Sequence, residues 1–169
     1  MSGLFTSRLR FRRVVAALTM AIGWSMISCS QAAAGSHPQA GETAISDPAA
    51  LQAILGGYTI IGYFETPDGG QDNWTEYHCP NGQSRYIHDG TLMKGLWRLR
   101  DGHVCYNYDR PNPGETYCFD VYADQGNGYK LILVGEEEEG FVVFISQRLR
   151  GDPFKILKLD GGSCEDLSS

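Results

Sequence analysis

From residue 58 onward, short apolar or aromatic runs alternate with turn signals. The turns are Pro67-Asp68-Gly69-Gly70, Pro80-Asn81-Gly82, Asp89-Gly90, Asp101-Gly102, Pro111-Asn112-Pro113-Gly114, Gly126-Asn127-Gly128, Gly140, Gly151-Asp152 and Gly161-Gly162. Between them the pattern predicts strands near 58–65, 73–79, 83–87, 92–100, 103–108, 116–122, 129–135, 141–148 and 154–159. No long helical period interrupts the series, so an antiparallel sandwich or barrel is expected rather than a parallel α/β sheet. Ahead of it, Ser46-Asp47-Pro48 reads as a capped helix start. Residues 48–55 follow with Leu51 and Leu55 on one face, and Gly56-Gly57 stops the helix.

One hairpin is readable residue by residue. Asp101-Gly102 suits a type I′ turn, because both central positions require positive φ. It sets Arg100 against His103, Leu99 against Val104, Arg98 against Cys105 and Trp97 against Tyr106. Trp97, Leu99, Val104 and Tyr106 then share an apolar face that belongs in a core, and Arg98, Arg100, His103 and Cys105 share the other. If Cys105 bonds Cys118, Val104 meets Phe119 and Tyr106 meets Tyr117, so Tyr117, Phe119 and Val121 continue the apolar face. Such a bond contributes roughly 3 kcal/mol by restricting the unfolded chain. Cys79 and Cys164 are left to pair by elimination, tying the tail to an early strand. The runs Leu131 to Val134 and Phe141 to Ile145 are continuous rather than alternating. They predict strands covered on both faces, with the helix as a candidate cover.

The start of the chain changes the setting. Arg8, Arg10, Arg12 and Arg13 precede an uncharged, mostly apolar stretch from Val14 to Ile27, and small residues follow from Ser28 to Ala34. That order is a secretory signal, and the apolar run falls short of the roughly 20 residues of a spanning helix. Two endings stay open. Cleavage after Ala32-Ala33-Ala34 releases a soluble chain at Gly35, whereas Met26-Ile27-Ser28-Cys29 resembles a lipobox that places a lipid on Cys29. Both expect a periplasmic or secreted protein, the second an outer-membrane lipoprotein. Residues 1–34 are then the signal, 35–46 a flexible linker and 47–169 the folded domain.

The whole chain of 169 residues has a formal net charge of −6. Losing residues 1–34 removes four arginines and no acid, which leaves 10 basic and 20 acidic residues and a charge of −10. Nucleic acid and anionic lipid surfaces are disfavoured as partners. The four cysteines beyond the signal contain no C-x-x-C, so two disulfides in an oxidising compartment are expected rather than zinc.

Several short segments stand in a distinctive order: Leu55-Gly56-Gly57-Tyr58-Thr59, Trp74-Thr75-Glu76-Tyr77, Pro80-Asn81-Gly82, Gly95-Leu96-Trp97, Cys105-Tyr106-Asn107-Tyr108 and Cys118-Phe119. Over about residues 50–150 this resembles a family of small exported bacterial proteins catalogued as domain of unknown function nine-nine-five. Asn81 stands where that family usually has Asp. The resemblance implies an envelope protein with a lipocalin-like meander and no assigned activity. The expected fold is thus all-β, an antiparallel up-and-down barrel of about eight to nine strands with a short N-terminal helix.

Candidate chemistry is sparse. His37 falls in the linker, and His78 and His88 sit ten apart on neighbouring strands, where they could meet across a turn. They read as partly exposed strand histidines, and no metal or cofactor is expected. No G-x-S-x-G is present. Glu65, Glu76 and Asp72 are the carboxylates a glycan hydrolase would use, though solvent-facing charge is the simpler reading. The acidic run Glu136 to Glu139 reads as a solvated hairpin tip, and Asn73-Trp74-Thr75 is a glycosylation sequon. The segment Tyr77-His78-Cys79 with Gly82-Gln83-Ser84-Arg85-Tyr86 faintly resembles periplasmic lysozyme inhibitors, which present a Ser- and Arg-bearing loop.

Aromatics are the most suggestive feature: Tyr58, Tyr63, Phe64, Trp74, Tyr77, Trp97, Tyr106, Tyr117 and Phe119 populate the strands. They either fill a small barrel, the favoured expectation, or surround a ligand, with Trp97, Tyr106, Tyr117 and Phe119 as the interior candidates. The function expected from these readings is a non-enzymatic envelope protein that binds a partner protein or a small apolar ligand.

Overall fold

The computed structural model describes residues 38, 41–124, 126, 128–135 and 141–164. The predicted signal with Cys29, His37 and the acidic run 136–139 lie outside the described residues. Helix α1 spans Pro48–Leu55, and the strands are β1 Thr43–Ile45, β2 Tyr58–Glu65, β3 Gln71–His78, β4 Gln83–His88, β5 Thr91–Arg100, β6 His103–Tyr108, β7 Tyr117–Ala123, β8 Tyr129–Leu133 and β9 Val142–Arg150. From β2 to β9 each strand pairs antiparallel with the next, and β9 returns to β2, which closes an eight-stranded up-and-down barrel. Closure removes the sheet edges that an open meander would expose.

The β5–β6 hairpin has the expected register, Trp97 opposite Tyr106 and Leu99 opposite Val104, around a turn with positive φ at Asp101 and Gly102. Across β6 and β7, Cys105 faces Cys118 and the two are bonded, with Val104 opposite Phe119 and Tyr106 opposite Tyr117. Cys79 is bonded to Cys164. The β2–β9 seam carries a bulge between Ile61 and Gly62. A Cβ at Gly62 would overlap the Trp74 indole and the Phe144 carbonyl oxygen, so glycine lets the ring lie across the bent strand.

Four expectations are corrected. Within the predicted linker 35–46, Thr43–Ile45 forms β1, which pairs with β7 from Val121 to Ala123. β6 engages β7 only from Val104 to Tyr106, so the rest of that edge is free to accept a further strand. Glu42 beside it lies 2.6 Å from the buried Lys130 ammonium. Next, the predicted strand 154–159 is a 3-10 helix, Ile156–Asp160. The Asp152 carboxylate accepts from the Ile156 and Leu157 amides, and Lys155 and Gly161, both left-handed, bracket the turn. That helix packs on the outside of the barrel, where Ile156, Tyr77 and Cys79 form a second small core with Ile87, Leu92 and Leu157.

The two continuous apolar runs are not covered on both faces. Leu131, Val143 and Ile145 are buried inside, while Ile132, Val142 and Phe144 beside them are only partly buried and Phe141 is exposed. Finally, α1 covers neither strand from outside. It plugs one end of the barrel against β2 and β5, placing Leu51, Ile54 and Leu55 in one core with Ile60, Trp97, Val104, Val121 and Ile145. Asp47 caps its first turn by accepting from the Ala50 amide. Arg148 of β9 donates to the Ile54 and Ala53 carbonyls at its other end, both at 2.7 Å.

Candidate functional site

The half of the barrel away from α1 is hollow. A cavity of about 490 Å³ lies there, within the range of small-molecule sites. Its walls include Phe64, Trp74, Met93, Tyr106, Tyr117, Phe119, Leu131, Leu133 and Val143. Strand alternation explains the lining: each of these residues is on the inward row of its strand, and the interior rows near α1 are taken up by the helix. The Trp74 ring stacks on Tyr86, Tyr86 tilts against Tyr108, and Tyr108 stacks on Tyr106, so one wall is a continuous aromatic surface. Gly95 makes room for it, since a Cβ there would press into the Tyr108 ring and Ser84.

A polar cluster is built into this wall. Glu76 lines the cavity and is 3 % exposed. The Tyr108 hydroxyl donates to both of its carboxylate oxygens, at 3.0 and 3.1 Å. Burial drives the Glu76 pKa up to about 7, while the hydroxyls of Ser84 and Tyr108 act in the opposite sense. His78 Nε2 is 3.0 Å from the Tyr106 hydroxyl and 3.5 Å from Glu76 Oε2. Burial lowers the His78 pKa to about 3, and the backbone carbonyls of Glu76 and Tyr58 only partly offset this. The imidazole is therefore neutral beside the carboxyl. Tyr106 and Tyr108 are held protonated, by burial first and then by the neighbouring Glu76 charge.

At the mouth, Asp72 Oδ1 is 2.9 Å from His88 Nε2. Ligating atoms of Asp72, His88 and Asp89 all lie within 4.8 Å of one another. Arg110 and Pro111, from the loop after β6, complete the rim.

Of the four interior aromatics expected from sequence, Tyr106, Tyr117 and Phe119 line the cavity. Trp97 does not. It sits in the filled half, where its Nε1 donates to the Cys79 carbonyl at 2.9 Å and its ring meets His78 edge-on. His78 and His88 do not meet: the first is opposite Ser84 and the second opposite Trp74, four residues apart along β3, and His78 is fully buried rather than partly exposed. Glu65 and Glu76 are also separated. Odd numbering on β2 and even numbering on β3 share no face, so Glu65 is exposed outside while Glu76 is inside. Asp72 is on the inward row with Glu76, about 13 Å away along the strand, beyond the spacing of a glycosidase pair. Ser84 and Arg85 belong to strand β4, not to a loop. Ser84 is fully buried, and Arg85 is covered by the tail, its Nε 2.8 Å from Asp160.

Sequence reasoning missed Tyr86, Tyr108, Met93 and His88 as lining residues, and it named Glu76 without placing it inside. The signal was available in the alternation Asp72-x-Trp74-x-Glu76-x-His78, which puts Glu76 on the face of Trp74. Compared with known proteins, the chain matches no family model, no curated protein and no solved structure.

Proposed function

We propose that this chain is an exported, non-enzymatic barrel that binds a small, mostly apolar ligand in the cavity opposite α1. The observation that carries the reading is a half-filled interior: the same row of inward residues is packed solid at the helix end and surrounds about 490 Å³ at the other. Apolar walls with a few convergent polar groups are the usual composition of a ligand site. Two disulfides favour an oxidising compartment, consistent with the secretory signal and with the resemblance to exported envelope proteins.

Titration with the neutral dye N-phenyl-1-naphthylamine tests this. One-to-one binding with a dissociation constant below ~100 µM is expected. Leu133→Trp, which partly fills the cavity, should weaken binding without loss of fold by circular dichroism. A wild-type protein that binds no dye, or a filled variant that binds equally well, would overturn the reading.

A further inference from the structure

We propose that the cavity takes a ligand with a positively charged amine head, seated between the Glu76 carboxylate and the Trp74–Tyr86–Tyr108–Tyr106 wall, with its apolar body toward Leu133 and Phe141. This rests on the ligand-binding reading above and adds the charge of the ligand to it.

The argument begins with how the chain treats its other buried charges. Among the described residues, three charged side chains other than histidine are buried: Glu76, Arg85 and Lys130. Arg85 is paired with Asp160 at 2.8 Å, and Lys130 with Glu42 at 2.6 Å. Among the described residues, no Lys or Arg lies within ion-pair distance of Glu76. The basic group beside it, His78, is held neutral by burial. Arg110 is the cation on the cavity rim, but its side chain is more than half exposed and its Nε lies 3.5 Å from Asp109. An ionised carboxylate here is desolvated without a counter-charge, a costly arrangement that a cationic ligand would relieve.

The surroundings suit a cation better than they suit an anion. A carboxylate offers about four lone-pair directions, and the side-chain donors at Glu76 are two hydroxyls, Tyr108 bonded to both oxygens and Ser84 beside it, so a direction remains for a cationic head. Four aromatic rings, Trp74, Tyr86, Tyr108 and Tyr106, line the same wall as Glu76, and aromatic π-systems attract ammonium groups. An anionic head seated against this wall would instead meet the Glu76 carboxylate, with Arg110 out at the rim.

Ionisation of Glu76 sets the pH response. The titratable groups that face it are His78 on its own strand, Tyr86 on β4, and Tyr106 and Tyr108 on β6, with Asp72, His88 and Arg110 farther out at the mouth. The three tyrosines and His78 stay neutral from pH 6 to 8, so Glu76 is the near group that changes charge over that interval.

The experiment displaces N-phenyl-1-naphthylamine with two isosteres, phenyltrimethylammonium and neutral tert-butylbenzene, and with anionic benzenesulfonate. At pH 8 the ammonium should displace the dye at a concentration at least ~10-fold lower than its neutral isostere. Its advantage should fall by about tenfold at pH 6, where the carboxyl is mostly protonated. It should vanish in Glu76→Gln and survive in Glu65→Gln, which removes an exposed carboxylate on the outer face of the barrel. Should Glu76→Gln fail to fold, the wild-type ratio of the two isosteres across pH decides by itself. A neutral isostere or benzenesulfonate that displaces as well as the ammonium at pH 8 would overturn the proposal while leaving the cavity as a ligand site. Failure of the dye to bind would remove both.

Discussion

The two ends of the barrel are built from the same alternating strands and come out as opposites. At the helix end Leu51, Leu55, Ile60, Val104 and Val121 are each 2 % exposed or less, and Trp97 fills the space between β5 and the Cys79 turn. The end is held shut from outside as well, by Arg148 on the helix carbonyls and by the tail bonded through Cys79 and Cys164. At the other end no element enters the barrel among the described residues, and the inward side chains stop short of one another. The lesson is that an inward row of apolar residues does not by itself say whether a barrel is solid. The outcome depends on whether a separate element reaches inside, and a short helix can fill only one end.

That contrast can be broken on the stability side. The largest effect is expected from Cys79→Ser with Cys164→Ser. Its loop of 85 residues corresponds to about 4–5 kcal/mol of unfolded-chain entropy, read as a shift in the urea midpoint under oxidising conditions. Next, Leu51→Ala in the plug should cost about 3–4 kcal/mol, because a solid interior leaves a new void. Leu133→Ala, whose side chain already borders empty space, should cost only about 1 kcal/mol. Equal losses for the two leucines would show that the open half is packed in solution.

A smaller effect separates the two buried titrating groups. The folded Glu76 pKa lies above the ordinary carboxylate value, so folding favours its protonated form. Its contribution is intact below about pH 4.5 and is lost as pH rises through about 7, a change of about 3 kcal/mol. His78 runs the other way: its pKa is depressed, so its contribution is present above pH 6.5 and is lost as pH falls toward 3. Subtracting the stability of Glu76→Gln from that of wild type at each pH isolates the first group. The difference should decline from pH 4.5 to 7, and a flat difference would mean that the carboxyl is solvated rather than desolvated at the cavity wall.

Much of the fold was legible in local sequence. Helix 48–55 follows from its cap, its Leu51–Leu55 spacing and its glycine stop, and the β5–β6 register follows from one Asp-Gly turn, since a two-residue turn leaves a single alignment. The Cys105–Cys118 bond was readable because supposing it also carries the apolar face of Val104 and Tyr106 onto Phe119 and Tyr117. The carboxyl-terminal segment was misread because Ile156-Leu157 looks like a strand until the Asp152 cap is seen to bend it into a turn of helix.

The candidate site was legible only in its parts. Tyr106, Tyr117 and Phe119 were identifiable as inward-facing from pairing alone, and so, by alternation, was Glu76. That Trp97 is packed solid while Tyr106, its cross-strand partner, borders a cavity depended on where α1 lodged, a placement set by long-range packing rather than by neighbouring residues. Side-chain direction is a local property of period two, so the sequence by itself determined which residues face in. How much room they face is a property of the whole closed sheet, and only the tertiary structure decided that.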